Sequence, residues 1–391
     1  MLQYITADRI HDGHRFLPEG SVIVLNAALE IVAVHSAKEV SADQAIRHFE
    51  GTLCPGLVNA HCHLELSHLE GKIPEGTGLV EFLQNVVQFR NTFSPEEKAE
   101  ALQYAVEASL RNGIIAVGDI ANTTDTLAVR ENGQLHIHSF IESIGFQEQQ
   151  AVPAFERSLQ VFEQFAQQKT ALDRIYKQSI VPHAPYSVST ALFALISRHE
   201  ASSVMSVHNE ETAAENEYFR HKTGSMKNLY AALHIDEHDF TPSGKTSLQT
   251  WLPHCSGTRP LILVHNTFME QEDIAWLNSS GREIYLCLCP NANWYIERRF
   301  PPVYELLNSG IPVCIGTDSL ASNHQLDIFS ELKILKKHFP KISWESLLHC
   351  ATLQGARALG MAQQIGSFEK GKYPGFCLIN TAMTAVRSLV F

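Results

Sequence analysis

Eight short apolar runs recur along the chain, at residues 57–61, 114–120, 135–142, 177–182, 204–208, 261–265, 283–289 and 312–316. Amphipathic helical patterns lie between most of them, for example at 95–111, 153–168 and 190–199. Pro95 behind Ser94 is a sound helix start, because proline lacks the amide proton that a first turn leaves unused. Eight strands alternating with helices predict an α/β protein with a closed (β/α)8 TIM-type barrel rather than an open sheet.

The flanks follow another pattern. Residues 3–7, 21–25 and 28–34 read as short β segments, with Gly20 and Asn26 as turn material. The stretch 51–56 breaks that pattern and sets a boundary. After Phe368, residues 369–375 form a turn before an apolar strand at 376–379, which is expected to return to the N-terminal segments. The predicted organisation is a small discontinuous β-sandwich domain from 1–54 and 365–391 around a barrel at 55–364. The polar, mixed stretch 218–257 reads as an enlarged loop after the fifth strand, on the face where loops shape substrate pockets. His11 and His14 read as solvated surface residues.

Composition narrows the function classes. A length of 391 residues with 45% hydrophobic and 18% charged side chains suits a large folded core. The formal charge of -12 argues against nonspecific nucleic-acid binding and against docking on an anionic membrane, though a nucleobase-type substrate remains compatible. No apolar run approaches the ~18 residues of a membrane span. Eight cysteines in a chain this long predict reduced, buried thiols rather than a disulfide scaffold, and with no signal-peptide pattern at the start the expected location is cytoplasmic.

In such a barrel, reactive groups sit at the C-terminal ends of the strands. The first run ends in His61 and His63, which strand alternation points the same way. The fifth ends in His208 with Glu211 three residues on, the sixth in His265, and the eighth leads into Asp318. Nitrogen and oxygen ligands with one position left for water are what a hydrolytic zinc site needs. His61, His63, His208 and Asp318 are the expected ligands of one divalent ion, zinc foremost with iron(II) as the alternative. Glu211 would carry a proton between the attacking water and a ring nitrogen, and His265 would orient the hydroxide or polarise the reacting carbon. The fourth strand ends at Pro182-His183 without the lysine that a carbamate-bridged pair of metals would want, which favours one metal.

These residues resemble a known family. The stretch from Pro55 to His63 resembles the first-strand signature of the amidohydrolase superfamily. His208-Asn209-Glu210-Glu211-Thr212, Cys289-Pro290-Asn291-Ala292-Asn293 and the run from Gly316 to Asn323 resemble its aminohydrolase branch, which includes guanine, cytosine, adenosine-type and S-adenosylhomocysteine deaminases. His61-Cys62-His63-Leu64-Glu65-Leu66-Ser67 is similar to the motif of aminodeoxyfutalosine deaminases. The resemblance spans nearly the whole chain and implies the same metal set, Glu211 as the proton shuttle, His265 as the hydroxide-orienting histidine and His183 as a substrate contact; Asp318, beside the metal, is expected to take up the water's second proton. Glu65, sharing strand parity with the two histidines, would reach a ribose hydroxyl or ring amine. One departure is the step Tyr373-Pro374-Gly375-Phe376-Cys377, where relatives carry an Ala-Asp-Leu type sequence. The expected function is hydrolytic deamination of a small amino-substituted heteroaromatic substrate, purine nucleoside-like, by a protein whose relatives are often homodimers. The alternatives are a same-fold triazine chlorohydrolase or cyclic amidohydrolase, and an inactive barrel acting as an interaction protein.

Overall fold

The computed structural model describes residues 2–168, 174–199 and 202–389. Four N-terminal strands, β1 (Gln3–Ile10), β2 (Ser21–Leu25), β3 (Ile31–Ser36) and β4 (Ile46–Cys54), are followed by eight that alternate with helices. These eight are β5 (Leu57–Cys62), β6 (Ile114–Ala121), β7 (His136–Ser143), β8 (Tyr176–Pro182), β9 (Met205–Asn209), β10 (Leu261–His265), β11 (Ile284–Leu288) and β12 (Val313–Ile315). Two short C-terminal strands, β13 (Cys377–Ile379) and β14 (Val386–Ser388), complete the set.

The eight middle strands form two parallel four-stranded sheets, ordered β5-β6-β7-β8 and β12-β11-β10-β9. Their apolar character is continuous because both faces are covered. In β10, Leu261 and Leu263 join one apolar cluster while Ile262 and Val264 join another on the opposite face. Backbone hydrogen bonds link the edges of the two sheets. The His208 amide donates to the His183 carbonyl (3.0 Å), and the Thr317 and Asp318 amides donate to the His61 carbonyl (3.0 and 3.1 Å). The seams therefore run through the residues that end the strands. The helix Pro95–Arg111 starts as expected, with Ser94 accepting from the Glu97 amide in a capping box.

Both chain ends meet in one six-stranded sheet, ordered β14-β13-β4-β1-β2-β3. Among the described residues the paired strands from both chain ends make a single sheet. Residues 51–54 do not break the β pattern but finish β4, which pairs in parallel with β1 and antiparallel with β13. Gly51 makes this turn of the strand at φ 109, and its amide is held by Asp8 Oδ2 at 2.7 Å. His11 is buried rather than solvated, with Nε2 3.1 Å from the Glu345 carbonyl; His14 is exposed.

The stretch 218–257 is not a loop. The helix Ala213–His221 runs into it, and it holds the helices Met226–Ala232 and Ser247–Trp251. Tyr218, Phe219, Met226, Leu229 and Tyr230 are buried in an apolar cluster with Leu79 and Phe82 of the helix Leu79–Phe89. That cluster roofs the strand ends. All eight cysteines are buried and free. No helix among the described residues is long and apolar enough to cross a membrane.

Candidate active site

Four sequence-predicted residues converge. One ligand atom from each of His61, His63, His208 and Asp318 lies within 4.8 Å of the others. His63 Nε2 is 3.2 Å from His61 Nε2 and 3.3 Å from His208 Nε2, and Asp318 Oδ1 is 3.3 Å from His63 Nε2. β5 ends at Cys62, and His63 opens the following 3-10 turn, so its side chain still joins that of His61. The turn is held by Asp119 Oδ1, which accepts from the Leu64 amide at 3.1 Å.

The donor set fits a divalent cation. His208 Nδ1 gives its proton to the His183 carbonyl at 2.7 Å, which leaves a lone pair on Nε2. Burial drives His61 and His63 well below the ordinary imidazole range, so both are neutral. Burial alone would raise the Asp318 carboxyl, but His63, His265, Ser322 and His208 outweigh it and hold it below its usual value. Three neutral imidazoles and one carboxylate are a set that zinc takes. Glu142, His183 and His208 form a second close group. There His208 offers the Nδ1 already protonated toward the His183 carbonyl, so that group is the poorer ligand set.

Glu211 and His265 stand beside the cluster. Glu211 Oε1 is 3.5 Å from His265 Nε2, and its Oε2 accepts from the Tyr186 hydroxyl at 3.2 Å. Burial, with Asp318 and Glu215 nearby, pushes the Glu211 carboxyl well above the carboxylate range, while Tyr186 pulls it back. Glu215 takes the Glu210 and Glu211 amides at 3.2 and 3.1 Å and so fixes the turn that carries Glu211. His265 Nδ1 lies 3.1 Å from the Asn293 side-chain amide nitrogen. Glu210, His265, Asn266 and Asp318 all have positive φ, at 46, 73, 55 and 57°. Non-glycine residues held there cost about 1–3 kcal/mol each, strain that surrounding structure must hold and that gathers at functional sites.

The cluster opens into a cavity of about 200 Å³. Its lining brings His63, His208, Glu211, His183 and Asp318 together with Asn122, Glu142 and Arg90 and with apolar side chains such as Phe82, Leu83 and Leu229. A larger cavity of about 370 Å³ behind Phe146 and Phe193 contains none of these groups, so the chemistry belongs to the smaller one.

Of the predicted substrate contacts, His183 lines the cavity, its Nδ1 2.7 Å from Ser187 Oγ. Glu65 does not line it. Its Oε2 accepts from the Asn122 and Thr123 amides (3.0 and 3.1 Å) and the Thr123 hydroxyl, and Arg90 lies 3.4 Å from its Oε1. This carboxylate secures the loop after β6. Glu142, Tyr186 and Glu215 escaped the sequence reading. Glu142 ends the third apolar run just as Asp318 follows the eighth, so the same signal was there to be used; Tyr186 lies three residues past His183.

Buried imidazoles and carboxylates gathered at the ends of parallel strands, beside an apolar cavity, define a metallohydrolase-type site. The amidohydrolase family profile matches residues 52–389, and the chain belongs to that family. A 5-methylthioadenosine/S-adenosylhomocysteine deaminase of Syntrophobacter fumaroxidans is 26% identical over 392 residues, covering 94% of this chain and 81% of its own. The fold is similar to the crystal structure of Helicobacter pylori aminofutalosine deaminase in complex with methylthio-coformycin (TM-score 0.81, 22% identity, 97% of this chain and 92% of that one). It is also similar to an adenosine deaminase from Xanthomonas campestris with bound zinc (TM-score 0.75, 24% identity, 97% and 84%).

Proposed function

We propose that this protein is a zinc-dependent deaminase that hydrolyses the exocyclic amine from an amino-substituted purine-type ring carried by a nucleoside. The observation that carries the reading is the convergence of His61, His63, His208 and Asp318 beside Glu211 and His265, with His63, His208, Glu211 and Asp318 lining one cavity. The names of the relatives point to the same reaction class. The two four-stranded sheets are read as one closed (β/α)8 barrel, supported by the seam hydrogen bonds at His61 and His183. The barrel spans 55–364, and 1–54 with 365–391 form the appended β domain.

A zinc ion held by the three imidazoles and Asp318 would bring the pKa of a coordinated water down towards 7 and supply hydroxide at neutral pH. The protein's own groups move the protons. Glu211 takes the first proton released from the water and passes it to the ring nitrogen next to the attacked carbon, as the new C–O bond pushes the ring C=N pair onto that nitrogen. Asp318 takes the remaining hydroxyl proton and returns it to the amino group. The C–N bond then breaks, ammonia leaves, and a ring carbonyl remains. His265 orients the attacking oxygen. The roof of apolar side chains excludes bulk water from this exchange.

A panel of adenosine, 5-methylthioadenosine, guanine, cytosine and an amino-triazine tests the reading. Zinc-loaded protein should release ammonia from a purine nucleoside, with the ring carbonyl product in equal amount. Turnover confined to the triazine, or to none of the panel, contradicts it.

A further inference from the structure

One buried polar atom in the cavity is used neither by the metal cluster nor by the proton path. Glu142 is the next-to-last residue of β7, its side chain is only 2% exposed, and it lines the cavity. Its Oε2 accepts from Asn122 Nδ2 at 3.0 Å. Its Oε1 has no hydrogen-bond partner within the protein. The nearest candidate, His208 Nδ1, is 3.5 Å away and already gives its proton to the His183 carbonyl. Buried carboxylate oxygens are almost always hydrogen-bonded, so an unpaired one on a cavity wall calls for a donor from a ligand.

Its position says which part of a ligand that is. The ring being attacked has to lie beside Glu211 and His265, the groups that act on it. Much of the remaining lining is hydrocarbon, from side chains such as Phe82, Leu83, Val86, Leu229 and Leu233. Glu142 and Asn122 line the same cavity but belong neither to the four-residue metal cluster nor to the Glu211–His265 pair. Glu65, the other carboxylate near this point, is occupied by backbone amides and does not line the cavity. An unpaired carboxylate oxygen in a ligand cavity is a receiver for a hydroxyl group.

We propose that Glu142 Oε1 accepts a hydrogen bond from a sugar hydroxyl of the bound nucleoside and thereby selects nucleosides over free bases. The proposal rests on the deaminase reading for the identity of the ring. It assigns to β7 a specificity role separate from the cluster on β5, β9 and β12. A site built to bond a hydroxyl rejects the analogue that lacks it far more strongly than an apolar pocket rejects a missing methylene.

Glu142→Gln tests this with little change of shape, since the amide must turn its oxygen to Asn122 and present N–H to the cavity. Dissociation constants of wild type and variant are measured by calorimetry on zinc-loaded protein. The ligands are inosine, 2′-deoxyinosine, 3′-deoxyinosine and hypoxanthine, which the deaminase does not consume. The matching adenosine series is followed by ammonia release, and zinc per chain is determined in both proteins. Wild type should bind inosine about 10- to 100-fold more tightly than one of the deoxynucleosides. The variant should lose that preference, with hypoxanthine binding and zinc content unchanged. An equal preference in both proteins overturns the proposal, as does a loss that falls equally on hypoxanthine, which would mark a structural role through His208. If the binding preference follows Glu142 but no nucleoside releases ammonia, the deaminase reading fails and the hydroxyl site stands.

Discussion

Replacing Tyr186 by Phe removes one oxygen atom and leaves a ring that is only 3% exposed in place. Its backbone role survives, because the Tyr230 hydroxyl donates to the Tyr186 carbonyl at 2.8 Å rather than to its side chain. What is lost is the 3.2 Å hydrogen bond to Glu211 Oε2. A hydrogen bond to a charged acceptor contributes about 1.5–3 kcal/mol, and about 1.4 kcal/mol is tenfold in rate. Turnover should therefore fall about 10- to 150-fold if Glu211 needs that bond in the transition state. The sign of the pH effect follows from the same contact. Burial raises the Glu211 carboxyl and Tyr186 opposes it, so removing the hydroxyl raises it further. Glu211 has to be free to take the proton of the attacking water, so the acid limb of kcat/KM should move to higher pH. The assay is ammonia release from pH 5 to 9 with the best nucleoside of the panel, with zinc content and melting temperature measured on the same protein. Turnover within twofold of wild type and an unmoved acid limb would refute the reasoning.

Two further outcomes follow from the packing around the site. A Cβ on Gly316 would lie 2.8 Å from both the Cβ and the carbonyl oxygen of His61, so Gly316→Ala must displace that histidine. Zinc per chain should drop well below wild type while far-UV circular dichroism is retained, and full zinc occupancy would contradict this. Glu331 is fully buried and accepts from the Asn291 amide, Asn291 Nδ2 and Asn323 Nδ2 at 2.8, 2.9 and 2.8 Å, and burial pushes its pKa up to about 8. The folded state keeps a proton that the unfolded chain loses from about 4.5 upward, so its contribution is full below that pH and is lost by about 8. Urea midpoints of the wild type should fall relative to those of Glu331→Gln between pH 5 and 8, and parallel curves would exclude the linkage.

Much of this was legible in the sequence, for identifiable reasons. β2 and β10 match their predicted bounds, since side chains such as Leu261 and Ile262 are buried on both faces and leave an unbroken apolar run. β4 was missed because Ile46, Arg47, His48 and Glu50 are exposed and Gly51 looks like a break, although a glycine is what its positive φ requires. The stretch 218–257 looked like a loop because charged residues interrupt it, yet Met226, Leu229 and Tyr230 are buried at helical spacing. The histidines at the strand ends could be read directly, since strand order alone brings them to one rim. The fate of Glu65 could not, because it depends on Asn122 and Thr123 more than fifty residues away. The positive φ of His265 and Asp318 has no local signature either; it follows from how the strand ends turn inward.

The account rests on one cation shared by four side chains from three separate strand ends. Anomalous diffraction at the zinc edge, from crystals grown with zinc, measures this directly. The predicted result is a single peak about 2.0–2.2 Å from a nitrogen of His61, His63 and His208 and an oxygen of Asp318. A peak elsewhere, or an empty cluster at saturating zinc, contradicts the account.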